Sequence, residues 1–376
     1  MNKKLMAVAV AAALAAPAAA LAQTSIYGKF NVEYGFVSQM DDPAGISRNN
    51  ADGFNSGASY VGVRGEEKMG GGMSTWYQCE TLARFGVNPS PAQVSSSGIC
   101  DRNSALGLKG GFGNFFVGRW DTAMENVSGS TRVVGSTGYQ GVQHMLTEDQ
   151  GQFGISFAQR VQNSFNYNSP NFGGFTVDFS TTTTGAALNT GAGAAAQAVK
   201  EGRIYSGNAK YAAGPLVAYG GYEKHDDNQA LVSGGAIDGA SENMFTFGAS
   251  YVFGPVKVAM VYTDMDADVT AATDVSRKAW QLAGDWKITG PGTIRAAYTS
   301  ADDFKGSAAG AAANDQGAQQ YSLHYIHALS KRTSAAVYYV KVDNDTNGVY
   351  NFHGFNSTVK PGDSASAIAF QLTHSF

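Results

Sequence analysis

Most of the reactive residue types in this chain stand where no reaction can use them. Asp343-x-Asp345-x-Asn347-Gly348 has the opening of a calcium-binding loop. Gly354, however, occupies the twelfth position, where a bidentate Glu is required, and no helical pattern flanks it. His324 and His327 are three apart, a ligand spacing for a helix, which along a strand sends them to opposite faces. His144, His225, His353 and His374 are scattered, and Cys79 and Cys100 have no adjacent histidine to complete a zinc site. Gly110-Gly111-Phe112-Gly113 runs into another strand rather than a helix, so it is no phosphate loop. No Gly-x-Ser-x-Gly occurs and no Ser/His/acid set assembles by spacing; no enzyme, metal or cofactor is expected.

What remains is fixed charge: Lys29, Arg64, Arg102, Arg119 and Arg160, the acids Asp121, Glu125, Glu148 and Asp149, and Arg132 among those acids. Charge of this kind does electrostatic work, because rings of it beside a water path set which ions pass. Such work needs a scaffold that holds the groups around water.

The scaffold is β. From Ile26, the even positions Gly28, Phe30, Val32, Tyr34 and Phe36 are apolar or small, while Lys29, Asn31 and Glu33 are polar. Ile368, Phe370, Leu372, His374 and Phe376 share one face at the other end, and the alternation recurs between, as in Phe245, Phe247, Tyr251, Phe253. Strict alternation means strands with one apolar and one polar face. Short Gly/Pro-rich turns stand at Met69–Gly71, Gly110–Gly113, Pro170–Gly173, Ala212–Pro215, Gly254–Pro255, Thr289–Gly292 and Ser330–Lys331. Longer polar stretches stand at about 39–57, 85–100, 121–158, 185–200, 227–242, 267–276, 304–317 and 344–362. Seven turns taking turns with eight loops predict sixteen strands, each near ten residues. The even count, the asymmetric connections and a length suited to a tilted crossing of about 9–11 residues favour a membrane barrel over a soluble sandwich. A sheet in lipid must close, and sixteen strands leave an aqueous lumen.

Composition agrees. The chain has 376 residues, 15% of them charged, 47 glycines and 9 prolines, which excludes a helical membrane bundle, a collagen and a typical disordered chain. A net charge of -4 with pI near 5.9 gives no reason to expect nucleic acid. Residues 1–22 read as a secretory signal, with Lys3 and Lys4 before an apolar run and Ala20-Leu21-Ala22 as a small-x-small cleavage site. Loss of two lysines and no acids would leave residues 23–376, the barrel, at -6. Export takes Cys79 and Cys100 to an oxidising compartment, and a disulfide closing one loop is the favoured reading. If Cys79 sat directly opposite Cys100, Tyr77 would oppose Arg102 and push it toward lipid. Either the bridge lies beyond the paired ladder, in the second long loop, which is favoured, or a bulge resets the register.

Several segments resemble the trimeric general porins of Gram-negative outer membranes, in their β-proteobacterial branch. The carriers are Ser25-Ile26-Tyr27-Gly28; Ser59-Tyr60-Val61-Gly62-Val63-Arg64-Gly65-Glu66-Glu67; the run from Arg102 to Arg119; Asn163-Ser164-Phe165-Asn166-Tyr167-Asn168-Ser169-Pro170; Ala328-Leu329-Ser330-Lys331-Arg332-Thr333; and the terminal His374-Ser375-Phe376. The resemblance implies a 16-stranded antiparallel transmembrane β-barrel with short periplasmic turns, long extracellular loops and a third loop folded inward. It implies a homotrimer in contact with outer-membrane lipid and lipopolysaccharide, a passive channel for ions and small hydrophilic solutes, and a terminal Phe376 that the barrel-assembly machinery reads. A Phe376 that simply packs is the plainer alternative.

Parity supplies the lumen. With Val61 and Val63 outward, Tyr60, Arg64 and Glu66 face inward; with Phe165 and Tyr167 outward, Arg160, Gln162, Ser164 and Asn166 do. Lys29 and Glu33 follow on the first strand and Arg295 on a later one. An arginine in lipid near the midplane would cost about 2–4 kcal/mol. The stretch 121–158 is the longest loop, and acids there (Asp121, Glu125, Glu148, Asp149) facing Arg102 and Arg160 would set up a transverse field. The resembled family places an arginine where Tyr60 stands; its absence leaves only a slight lean toward anions. Inward aromatics, read as Tyr27, Tyr60 and Tyr339, keep a substrate-selective channel as an alternative, and a surface adhesin or structural barrel is another.

Overall fold

The computed structural model describes residues 24–39, 51–84, 98–135, 138–148, 156–183, 202–226, 241–270, 273–307, 315–352 and 359–376. The candidate signal 1–22, Asp149, His353 and Gly354 lie outside them. The strands are β1 (Ser25–Gln39), β2 (Ala51–Asn55), β3 (Tyr60–Gly70), β4 (Met73–Leu82), β5 (Ser104–Gly110) and β6 (Gly113–Asp121). After the third long loop come β7 (Arg160–Asn168), β8 (Phe175–Thr182), β9 (Arg203–Ala213), β10 (Leu216–Asp226), β11 (Ser241–Phe253) and β12 (Val256–Thr270). The last are β13 (Thr273–Lys287), β14 (Gly292–Ala301), β15 (Ala318–Ala328), β16 (Thr333–Asn344) and β17 (Ala365–Ser375).

All pairings are antiparallel, and β1 pairs with β17 over Lys29↔Ser375 to Gln39↔Ala365, which closes the sheet. Both β2 and β3 pair with β1, one above the other, so they make a single stave interrupted at 56–59. The Ser59 hydroxyl bridges the interruption, accepting from the Asn31 amide at 2.7 Å and donating to the Asn31 carbonyl at 3.0 Å. The barrel therefore has sixteen staves, and closure leaves no edge unpaired in lipid.

Every expected short turn joins two neighbouring strands. The β3–β4 turn shows why glycine is needed there: Gly70, Gly71 and Gly72 take φ of +86°, +58° and +76° in succession, a left-handed run closed to other residues. The expected loop at 267–276 is instead a hairpin. β12 and β13 keep pairing up to Thr270↔Thr273 with one irregularity after Asp268, so Asp264, Asp266 and Asp268 lie on a strand that continues upward. The expected loop at 39–57 likewise gives up Ala51–Asn55 to pairing with β1.

The outer face is apolar: Phe36, Phe115, Phe165, Phe245, Leu282, Leu323, Ile368 and Phe370 are all exposed. The inner face is not uniformly polar. Ala279, Ala301, Ala318, Val340, Val342, Ala365, Ala367 and Ala369 are buried beneath residues of the third long loop. Small inward side chains leave room there for a segment of chain. Tyr339 faces outward and is exposed, while Tyr338 is the buried inward residue, which corrects the parity expected for Tyr339. His324 is buried and stacks on Tyr338 at 4.8 Å; His327 meets the Tyr325 hydroxyl on the other face.

Candidate functional site

The third long loop, between β6 and β7, crosses the lumen along one side. It begins with α1 (Ala123–Ser128), capped by the Thr122 hydroxyl, which accepts from the Glu125 amide. The amides of Ala123 and Met124 donate to Ser180 and Ser206 on the inner wall at 2.9 Å each, and Asn208 donates to the Ala123 carbonyl at 2.7 Å. Helix amides without intrahelical acceptors are thus satisfied by wall side chains. Further on, Tyr139 reaches the opposite side of the barrel. Its amide donates to Glu33 at 3.2 Å and its hydroxyl to the Gly53 carbonyl at 2.9 Å. Glu33 is fully buried there and also accepts from Gln371 at 2.6 Å, so it is an anchor for the loop rather than an open lumen charge.

The loop then forms α2 (Gln143–Leu146) over β13 and β14. Arg277 on β13, 2% exposed, donates to the Met145 and Glu148 carbonyls at 2.9 and 2.6 Å and to the Tyr350 hydroxyl. On the return, the Ala158 amide donates to Glu223 at 3.0 Å, and the Phe157 ring lies 4.8 Å from His225. His225 itself bridges Glu223 and Glu242, all three buried. Met124, Val133, Val134, Tyr139, Val142, Met145, Leu146 and Phe157 bury apolar surface against inward residues of the wall.

The acids of this loop are matched locally. Glu125 pairs with Arg132 at 3.0 Å, and Glu148 with His144 at 2.7 Å. Burial raises the Glu125 carboxyl above its ordinary range, with Arg132 pulling the other way. Burial opposes the Arg132 charge, yet the Glu125 carboxylate beside it more than offsets this and raises its pKa. The expected field from loop acids toward Arg102 and Arg160 therefore has little unpaired acid behind it among the described residues.

The cations gather on the other wall. Arg160 pairs with Asp121 at 2.9 Å and also donates to Asn103, which in turn donates to Asp121 at 2.8 Å. Asp121 is the last residue of β6 rather than a loop residue. Arg119 donates to the Asp101 carbonyl at 2.9 Å. Simple alternation does not carry from Ser164 down to Arg160, because Gly118↔Ser164 is followed by Trp120↔Val161, which leaves two β7 residues facing one of β6. Asn163, at φ +54°, takes up that extra residue. Arg102 lies 5.0 Å above the Tyr60 ring and 3.6 Å from Glu80. Lys29 stands opposite Tyr60 in the β1–β3 ladder, and Arg64 lies 4.5 Å over the Tyr27 ring.

Glu80, Arg277 and the Glu223–His225–Glu242 set were not singled out from the sequence. Parity carried a signal for Arg277, on the face opposite the exposed Trp280 and Leu282, and for Glu242, on the face opposite the exposed Phe245 and Phe247.

Cys79 and Cys100 are joined by a disulfide. The β4–β5 ladder ends at Gln78↔Ala105, so the bridge lies past the paired rungs. The Arg102 amide then rejoins β4 by donating to the Glu80 carbonyl at 3.0 Å. Phe376 exchanges backbone bonds with Gly28 at 3.1 and 3.0 Å, and its ring lies 5.2 Å from Phe30, across the β1–β17 seam.

A sequence profile for Gram-negative porins matches residues 7–347. The chain is similar to outer membrane porin protein 32 of Delftia acidovorans, at 28% identity over 384 residues and the full length of both. It is similar to major outer membrane protein P.IB of Neisseria lactamica, 26% identical over 344 residues, covering 90% of this chain and 92% of that one. Among solved structures, an anion-selective porin from Comamonas acidovorans matches with a TM-score of 0.73 at 25% identity, covering 94% of this chain and 100% of that one. A trimer form of OmpT from Vibrio cholerae matches with a TM-score of 0.66 at 15% identity, covering 94% and 99%, a likeness of fold alone.

Proposed function

The chain belongs to the Gram-negative porin family, and on that footing we propose how its pore discriminates among solutes. As an outer-membrane porin it gives ions and small hydrophilic solutes a water-filled path for passive diffusion. Family membership and the barrel support a channel rather than an enzyme.

The loop from 122 to 159 narrows the lumen, and the passage left open runs along the wall of β1 and β3–β7. The carrying observation is an imbalance across that passage: the loop acids Glu125 and Glu148 are paired within the loop, whereas Lys29, Arg64 and Arg102 line the wall with only Glu80 close to Arg102. The pore therefore favours small anions, modestly, since Tyr60 replaces one expected arginine. Similarity to an anion-selective porin supports the same sign. Assembly as a homotrimer is proposed from likeness to a relative with a trimer form. Cleavage after residue 22, contact with lipopolysaccharide and reading of Phe376 by the assembly machinery complete the reading.

The test is the reversal potential of single channels in a planar bilayer under a KCl gradient. An anion-selective potential with closures in thirds is the expected result. A cation-selective potential would overturn the charge assignment, and closures in a single step would overturn the trimer.

A further inference from the structure

On the inner wall of β1 and β3, with Arg102 from the approach to β5, two guanidiniums flank a pair of phenols in one continuous run. The Arg64 Cζ lies 4.5 Å from the centre of the Tyr27 ring, Tyr27 meets Tyr60 edge to face at 6.1 Å, and the Arg102 Cζ lies 5.0 Å above Tyr60. Lys29 sits between the two tyrosines in sequence order, opposite Tyr60 in the ladder. Tyr60 and Arg64 are four residues apart on β3, about 13 Å along a strand at ~3.3 Å per residue.

The cations of this run have bonding capacity to spare. Among the described residues, Arg64 makes no ion pair or hydrogen bond to protein, is exposed, and touches the Tyr27 ring. Lys29 also has no protein partner among them. Arg102 has one acid within reach, Glu80 at 3.6 Å, and Glu80 already accepts from Tyr27 at 2.9 Å and Gln78 at 3.3 Å. A guanidinium lying on an aromatic ring keeps its N–H edge free for a carboxylate, which it grips through two parallel bonds. A chloride ion would need only the positive charge, and the tyrosines would add nothing to its passage. A ligand with a carboxylate and an arene would use both, since offset or edge-to-face ring pairs are favourable beyond their buried area.

We propose that Arg64, Tyr27, Lys29, Tyr60 and Arg102 form a binding track for aromatic carboxylates. The carboxylate is held first at Arg102 and Lys29 with its ring against Tyr60, then at Arg64 with its ring against Tyr27. The track rests on the anion-favouring reading of the pore and names the solute class that the same wall serves best. No covalent step is involved.

The experiment compares two blockers of the chloride current in planar bilayers: benzoate, and cyclohexanecarboxylate, which has the same charge and ring size but no arene. In the wild-type channel benzoate is expected to halve the chloride current at a concentration about three- to tenfold below that of the saturated acid. Tyr60→Leu brings the two half-effect concentrations within about twofold, and Tyr60→Phe, which keeps the ring, restores the difference. Arg64→Gln weakens both acids together. Equal half-effect concentrations in the wild-type channel overturn the track, as does a preference for benzoate that survives Tyr60→Leu. Failure of the underlying anion reading is seen separately, in the KCl reversal potential recorded before either acid is added. Barrel formation by each variant is checked by the shift in gel mobility between unheated and heated samples, and a variant that fails it is replaced by the Tyr27→Phe and Tyr27→Leu pair, read in the same way.

Discussion

The ring of Tyr139 packs against Gly35, so close that a β-carbon on Gly35 would stand 2.6 Å from two of its ring carbons. This glycine on β1 is a seat for the third loop, and the adjacent inward residue, Glu33, accepts the Tyr139 amide. The loop holds its position because the wall beneath it was left hollow. Gly35→Val is expected to lift the tip and cost about 1–3 kcal/mol of stability, as overpacking does. Single-channel conductance should rise while the unfolding temperature falls. A variant of lower stability with unchanged conductance would show that the tip does not bound the pore.

Glu125 gives the loop a pH dependence of definite sign. Burial raises its folded carboxyl pKa above the unfolded value, so the fold favours the protonated acid. Stability from this group is fully present below the unfolded carboxylate pKa and is lost as pH rises through the folded one. Glu125→Gln removes the titration and keeps a side chain able to bond Ser128. In urea unfolding from pH 4 to pH 7, the wild type should lose stability relative to the variant as pH rises. A difference that is flat, or runs the other way, contradicts the direction.

The Cys79–Cys100 bridge spans 21 residues and ends two positions before Arg102. Tying a loop of that size removes unfolded-state freedom worth about 3 kcal/mol in the chain-entropy description. Reduction, or Cys79→Ala with Cys100→Ala, should lower the unfolding temperature. It should also weaken anion preference, because the approach to β5 that carries Arg102 loses its tether. An unchanged reversal potential would separate the bridge from the charge it neighbours.

The barrel was legible because turns and strand faces are local properties. Gly70–Gly72 or Gly254–Pro255 dictate a reversal wherever they stand. Less legible was anything that depends on what an inward side chain meets. Polar strand looks like loop, so the sequence places a break at 267–276 where the β12–β13 hairpin keeps pairing, although Asp264, Asp266 and Asp268 alternate along the strand end that leads into it. Tyr338 and Tyr339 differ by one residue, and one residue exchanges lumen for lipid. The inward alanines Ala365, Ala367 and Ala369 have no polar character to announce a lumen, because their role is to make room for the third loop. Arg160 shows the limit of parity: a single extra residue near Asn163 breaks the count.

Phe376 makes backbone bonds to Gly28 and packs on Phe30, so it closes the seam between β1 and β17. Closing a seam and serving as an export signal are separable. Phe376→Ala should refold into detergent micelles at a yield within about twofold of wild type, since the ring is 39% exposed and forfeits only part of its burial energy. In cells the same variant should accumulate in the periplasm if the residue is read by the assembly machinery. Equal losses in micelles and cells would leave packing as its whole role.

Arg102 tests the selectivity argument most directly. Its guanidinium rests on Tyr60 with Glu80 as its near acid. Removing the charge as Arg102→Gln leaves Glu80 beside Tyr27 and Tyr60 without its near cation, so the local balance moves toward negative. One unit charge acting at about 4 Å through water is worth roughly 1 kcal/mol, which corresponds to about a fivefold change in partition. The anion-to-cation permeability ratio should fall by up to that factor, and less at 1 M salt, where charges more than about 3 Å apart are screened. Arg132→Gln offers the contrast, because Arg132 is buried against Glu125 inside the loop and its charge is already matched. It should change stability and leave the reversal potential where it was. If Arg132→Gln shifts the potential as much as Arg102→Gln does, the selective charge lies on the loop and the wall assignment fails.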